Sequence, residues 1–396
     1  MKRNRSILFV ALVGFFFAAA AVSDRPEMFG DALSGLTPSQ LSAFRDGVVE
    51  FTGEESVADG LGPVFNGRSC AECHSVPVVG GGSERVVTRF GKMTNGVFDS
   101  LAQYGGSLIQ DHAIGPNDVA GLHQFIAETV PGEARIVAHR RTTPLFGLGL
   151  VDAVADADFY ALATREAARN DGTAGRVSVV ADLIHGGTSV GKFGWKAQVP
   201  NLMQFAGDAY LNEMGITNPI FPNENCPGGN CAELDYNPVP AMNDDGSGVR
   251  EFADFMTMLG PPPRADNKKG RDSMNAGEKT FEDIGCGSCH VATLQSGDSQ
   301  IAALRHRQFH PYSDFLLHDM ASLGDGISQG AANGREIRTA PLWGLRMVTK
   351  YLHDGRATTI EQAILAHDGQ GKPARDRFTA LDANAKAKLL AFLNSL

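Results

Sequence analysis

Beyond residue 22 no segment approaches the ~18 consecutive apolar residues that a membrane-spanning helix needs. Basic runs are missing as well. The 396 residues carry a formal charge of −10, which argues against nucleic acid as a partner. Patches rich in β-formers, such as residues 86–90 and 177–180, are too few for a large sheet. Tryptophan occurs only at 195 and 343, and cysteine only six times. None of those cysteines lies near the N-terminus, so a lipid-anchored start is not expected.

What the sequence does have begins with a leader. Lys2, Arg3 and Arg5 precede an uncharged apolar run over residues 7–22, and Ala21-Val22-Ser23 offers small residues to a signal peptidase. The run is short for a membrane span and normal for a secretory signal, so residues 1–23 are expected to be removed on export to the periplasm. An uncleaved N-terminal anchor is the alternative. Losing three cations with the leader takes the formal charge to about −13. Such a chain is compatible with docking a small basic redox protein, although acidity serves solubility equally well.

The six cysteines form three close pairs. Two read Cys-x-x-Cys-His, at Cys70-Ala71-Glu72-Cys73-His74 and Cys286-Gly287-Ser288-Cys289-His290. The third pair, Cys226 and Cys231, has no following histidine and is expected to close a small loop as a disulfide in an oxidising compartment. A reactive dithiol is its alternative.

The chain also repeats itself. Phe65 and Phe281 each stand five residues before a motif cysteine. Downstream, Arg141-Thr142-Thr143-Pro144-Leu145-Phe146-Gly147-Leu148 is echoed by Arg338-Thr339-Ala340-Pro341-Leu342-Trp343-Gly344-Leu345. The shared order predicts two copies of one module. Helices are expected over 274–284, 249–259 and 381–396, with Gly260-Pro261-Pro262-Pro263 marking a boundary. The expected organisation is a module at 24–191, a connecting segment with the cysteine loop at 192–265, and a second module at 266–396. The fold class is mainly α, with long ordered loops and a few short strands.

In Cys-x-x-Cys-His, two thiols can add to the vinyl groups of haem while the adjacent imidazole reaches the iron. Two copies in an exported chain predict two covalently bound haem c groups, one at Cys70 and Cys73, one at Cys286 and Cys289. A zinc site would need four ligands converging from both motifs. The axial ligands are then His74 and His290. Residues 359–367 read as a helix placing Ile360, Ile364 and His367 on one face, so His367 is the candidate second ligand of the later haem. A core histidine bonded to a carbonyl is the alternative, and His318, Met320 and Met347 are further ligand candidates.

Tyr351-Leu352-His353-Asp354-Gly355-Arg356 with Thr359-Ile360-Glu361-Gln362-Ala363-Ile364 resembles the haem segment of bacterial dihaem cytochrome c peroxidases. The resemblance implies that the residue 14 places after His353, here His367, ligates the electron-transfer haem, and that His353 meets a haem propionate. The likeness is greater still to the di-haem oxidoreductase and peroxidase branch. It is carried by residues 143–150, 193–198, 214–217, 311–320 and 338–345, and so by nearly the whole mature chain. It implies a periplasmic oxidoreductase in which the C-terminal haem exchanges electrons with an N-terminal haem that activates peroxide. An electron carrier with bis-histidine ligation, and an oxidase of a protein or organic substrate, are the rival readings.

The Trp-Asp-Gly-Arg segment and distal glutamate of the classical peroxidases are missing. Peroxide cleavage needs a group to move a proton, and His112, His123, His139, Glu128, Glu133 and Asp152 are candidates, although any of the three histidines could instead close the first haem as its sixth ligand. Asp152 is the first choice because it follows the repeated Gly-Leu motif, with a surface acid as its plainer reading. Trp195 or Trp343 could stand between haems; buried packing is the plainer role of each. Oxygen-rich loops at 170–173 and 243–246 could hold calcium, as the resemblance implies, or be ordinary turns.

Overall fold

The computed structural model describes residues 28–115, 123–265 and 270–396; the leader read in residues 1–23 lies outside them. Among the described residues no helix is long and apolar enough to cross a membrane. Nine α-helices run through them: α1 (Pro38–Thr52), α2 (Leu148–Asp152), α3 (Asp156–Ala168), α4 (Leu202–Met214), α5 (Ser247–Met258), α6 (Arg271–Asp283), α7 (Ile360–Leu365), α8 (Lys372–Ala380) and α9 (Ala383–Leu393). Local chemistry sets their ends. Thr37 Oγ1 accepts from Gln40 N at 3.3 Å while Gln40 Oε1 accepts from Thr37 N at 2.9 Å, a reciprocal cap on α1. Asn201, Thr359 and Asp382 cap α4, α7 and α9 through their side-chain oxygens. The expected helices at 249–259, 274–284 and 381–396 are α5, α6 and α9.

Helix outweighs strand, 37% to 15%. The largest sheet among the described residues has three strands, with Val86–Thr94 between Val97–Asp99 and Ile136–Arg141, all antiparallel. The expected patch at 177–180 forms Ser178–Ala181, paired only with Thr188–Gly191.

Both halves use one packing device. Gly47 of α1 lies against the carbonyl of Glu251 on α5, and Gly277 of α6 lies against the carbonyl of Lys388 on α9. A Cβ at either glycine would collide with that backbone, so only glycine lets the helices cross so closely. One turn further on, Phe51 packs on Phe255 and Phe281 packs on Phe392, with ring centres 4.6 and 5.4 Å apart. Thus α5 closes a core around the first motif as α9 does around the second. That helix comes from within residues 192–265, the stretch read from sequence as a connector.

The structure also reassigns an aromatic. Phe51 and Phe281 pack on His74 and His290, at 6.0 and 6.3 Å between ring centres. Phe65, which sequence spacing pairs with Phe281, stacks on His112 instead, at 5.5 Å. The two apolar cores are separate but unequal. The second gathers Phe281, Tyr312, Phe378, Leu389 and Phe392. The first holds Phe44, Phe51, Phe159, Phe252 and Phe255 and also recruits Leu304, Phe309 and Phe315 from the later half of the chain. At ~1.5–3 kcal/mol for each large apolar side chain buried, this shared core binds the halves firmly.

Candidate functional site

Each Cys-x-x-Cys-His motif folds into the same single turn, with His74 N donating to Cys70 O at 3.0 Å and His290 N to Cys286 O at 2.9 Å. In both, the imidazole Nδ1 meets a backbone carbonyl: Gly81 O at 3.1 Å for His74, Tyr312 O at 3.0 Å for His290. A carbonyl can only accept, so Nδ1 carries the proton and Nε2 keeps its lone pair. Burial pushes both histidines down to about 4, which keeps them in the neutral form a metal binds. Burial also pushes Cys73 up to about 11 and Cys286 up to about 12. These thiols are protonated and are not poised as thiolates. Among the described residues the one group of three ligand-type side chains is Cys289, Asp314 and His318. The four-ligand convergence that zinc would need does not form.

Cys286, Cys289 and His290 line a cavity of ≈ 280 Å³, and His367 faces it from another element. Helix α7 delivers that histidine. Thr359 starts the helix by accepting from Gln362 N at 3.1 Å, and His367 follows its last turn with Nδ1 bonded to Ala363 O at 2.8 Å. Burial lowers its pKa. The rings of His290 and His367 are 6.4 Å apart, centre to centre. An ion held between two imidazoles at ~2.0–2.1 Å per bond, with ~1.1 Å from each nitrogen to its ring centre, puts the rings ~6.3 Å apart. The pair therefore fits one shared metal ion, and the cavity beside it fits a flat prosthetic group.

The other ligand candidates are placed differently. Both nitrogens of His318 are engaged, Nε2 with Asp314 Oδ2 at 2.8 Å and Nδ1 with Cys289 Sγ at 3.5 Å. Burial alone would lower His318; the Asp314 carboxylate outweighs it and holds the imidazole well above its ordinary value. Beside them Glu166 of α3 is fully buried, with Oε2 accepting from Gly175 N at 2.9 Å and Oε1 without a partner. Burial pushes its carboxyl up to about 7. Met320 lines the cavity, and Met347 is largely exposed. Glu166 and Asp314 escaped sequence reasoning because nothing local marks an acid buried by residues more than a hundred positions away.

The remaining cavity wall comes from the first half. Trp195 donates its indole N–H to Arg141 O at 2.8 Å, and its own carbonyl accepts from Arg338 N at 2.8 Å. It thus stitches together the two copies of the repeated segment. Its ring meets His353 edge-on at 6.2 Å. His353 is buried, and burial lowers it to about 4. Trp343 packs against Gly147, whose φ of +70° suits glycine and whose missing Cβ makes room for the indole.

Asp152 is half-buried at the end of α2, with its carboxylate accepting from Leu202 N at 3.3 Å. Burial pushes it up to about 6, but it does not line the cavity. Nor do the other proton-transfer candidates. His112 pairs with Asp111, His123 stacks on Tyr236, and His139 sits exposed beside Thr88. Glu133 binds Lys92 and Tyr104 on the surface. Glu128 accepts from Gln110 N and from Gly228 N in the cysteine loop. In that loop the sulfurs of Cys226 and Cys231 are at bonding distance. In the two oxygen-rich loops, Asp171 accepts from Thr173 and faces Arg169, while Asp244 and Asp245 cap the start of α5.

A family model described as "Di-haem oxidoreductase, putative peroxidase" matches residues 130–396. No curated protein matches the chain. Among solved structures, the hydrazine synthase of Kuenenia stuttgartiensis pressurized with xenon is 14% identical, covers 100% of each chain and has a TM-score of 0.41. A MauG-like protein associated with microbial copper homeostasis is also 14% identical, covers 94% of each chain and has a TM-score of 0.40. Likenesses at that level bear on neither fold nor function.

Proposed function

We propose that this chain, which belongs to the di-haem oxidoreductase family, is a periplasmic c-type oxidoreductase with peroxidase-like activity. One haem is attached at Cys70 and Cys73 with His74 on its iron. The other is attached at Cys286 and Cys289 between His290 and His367. The observation that carries the reading is the facing pair His290 and His367, whose 6.4 Å separation suits a single ion. When bound, haem iron supplies one-electron chemistry and, where a coordination position is open, a place for peroxide to bind.

The residues divide that work. His290 and His367 each commit Nδ1 to a carbonyl and so offer Nε2 to the same ion, which makes the later site a closed electron relay. His74 offers Nε2 in the same tautomer, and among the described residues its ring has the Phe51 contact that matches Phe281 on His290 but no second imidazole ring matching His367. The earlier site is therefore the reacting one. Trp195, bonded to both repeated segments, is the residue we assign to carry an electron between the sites. The acidic surface suits a small basic redox protein as donor.

Electron paramagnetic resonance of the oxidised, fully haem-loaded protein tests the assignment. One low-spin and one high-spin ferric signal are expected, with peroxide consuming the high-spin one. Two low-spin signals, with the haem that stays ferric after one-electron reduction still low-spin and inert to peroxide, would instead establish an electron carrier.

A further inference from the structure

The repeated segments each begin with an arginine, and independent modules would use one apiece. The structure brings both to one place: Arg141 from the first copy and Arg338 from the second line the same cavity beside Cys286 and Cys289. Their backbones are fixed through one residue, since Arg141 O accepts the Trp195 indole N–H and Trp195 O accepts from Arg338 N. Arg141 N also donates to His353 O at 2.7 Å.

Neither guanidinium has a carboxylate partner at ion-pairing distance among the described residues. Arg141 Nε is buried without any hydrogen-bond partner. Arg338 is 5% exposed, gives Nε to Gly194 O at 2.7 Å and Nη1 to Thr339 O at 3.0 Å, and lies over the Phe315 ring. Both its acceptors are neutral. Two other buried cations, Arg140 and Lys196, share one acid, Asp325, at 2.7 and 2.8 Å. Two cations kept out of water without an anion are costly. A wall of this kind, with a donor left over, is built for an anion that arrives with the ligand.

We propose that Arg141 and Arg338 hold the two propionate carboxylates of the haem attached at Cys286 and Cys289, so that an arginine of the first repeat completes the site of the second. The inference rests on the two-haem reading above. Guanidinium forks match carboxylates in shape as well as charge, and two forks answer two propionates. Because Arg141 also borders a small hollow walled by Val76, Gly82 and Ser83, just past His74, it places a fixed positive charge between the two motifs. A cation at this position favours the ferrous over the ferric state of the later haem.

The test uses the full chain carrying Arg141→Gln or Arg141→Lys. Haem stoichiometry is read first, by mass of the denatured protein; fewer than two haems in the parent protein would overturn the two-haem reading itself. With two haems present, potentiometric titration should show the low-spin haem of Arg141→Gln shifted to lower potential, with Arg141→Lys returning part of the shift. Redox-difference infrared spectra of protein grown with ¹³C-propionate-labelled haem should show the carboxylate bands moved in Arg141→Gln. Unmoved potential and unmoved carboxylate bands in a two-haem variant would overturn the proposal. If Arg141→Gln fails to load haem, the labelled bands of Arg141→Lys against the parent decide it, and identical bands would count against it.

Discussion

His290 and His367, 77 positions apart in the chain, both border the cavity with ring centres 6.4 Å apart. His318 is tied on both nitrogens, which leaves Met320 as the other candidate ligand on the cavity wall. His367→Ala should convert the later haem from low-spin to high-spin and raise its potential by weakening donation to ferric iron. Electron paramagnetic resonance of folded, two-haem protein checks this. An unchanged low-spin signal would remove His367 as the ligand.

Attachment is tested more simply. Cys286→Ala with Cys289→Ala should leave one covalent haem per chain after denaturation, read by mass, where the parent retains two. Retention of both would defeat the assignment of these cysteines.

Peptide mapping of the non-reduced protein should find Cys226 joined to Cys231. The loop is short, so replacing both by Ala should cost only about 2 kcal/mol in unfolding free energy. A much larger loss would mean that the loop, which also receives Glu128, does more than close on itself.

The glycines at the helix crossings make a sharper demand. Gly277→Ala puts a methyl group into the carbonyl of Lys388 and should destabilise the second core by roughly 1–3 kcal/mol, despite the better helix propensity of alanine. Denaturant unfolding of the haem-loaded protein checks the sign. A stabilised variant would show that α6 and α9 can part without cost.

Acid should weaken one turn in particular. Burial alone would raise Asp182, but the N–H groups of His185 and Ile184, the His185 ring and Ser189 Oγ hold it down to about 2. A carboxyl lowered from its ordinary value stabilises the fold above that value and loses its contribution as pH falls from about 4 to about 2. Asp182→Ala should thus cost about 2 kcal/mol at neutral pH, and its gap from the parent should close across that acid range in urea unfolding. A gap independent of pH would show that the carboxylate charge is not what stabilises the turn.

The legible parts of this protein were those fixed by short-range chemistry. Haem attachment needs two thiols and an imidazole within five residues, so both motifs could be read at once, as could α5, α6 and α9 from their apolar faces. The helix ahead of residue 367 was reachable because its cap and apolar face are local. Gly47 and Phe51 were not: in the first half a long insertion separates the helix from its motif, and Phe65 occupies the tempting position by spacing alone. The meeting of Arg141 with Arg338, and of Glu166 with Asp314, depends on how the halves dock, which no local pattern records.

That docking has a practical meaning for anyone wishing to dissect the molecule. Duplicated modules ordinarily tempt the experimenter to express one alone and study a simpler protein. Here Arg141, Lys192, Phe193, Trp195 and Phe205 wall the cavity of the later motif, and Arg169 of the first half reaches across to Ser288 O at 2.9 Å. A fragment starting at residue 270 would keep its helices and lose a side of its pocket, opening it to solvent. On the proposed two-haem reading, the one-haem version to make is the whole chain with one pair of motif cysteines removed.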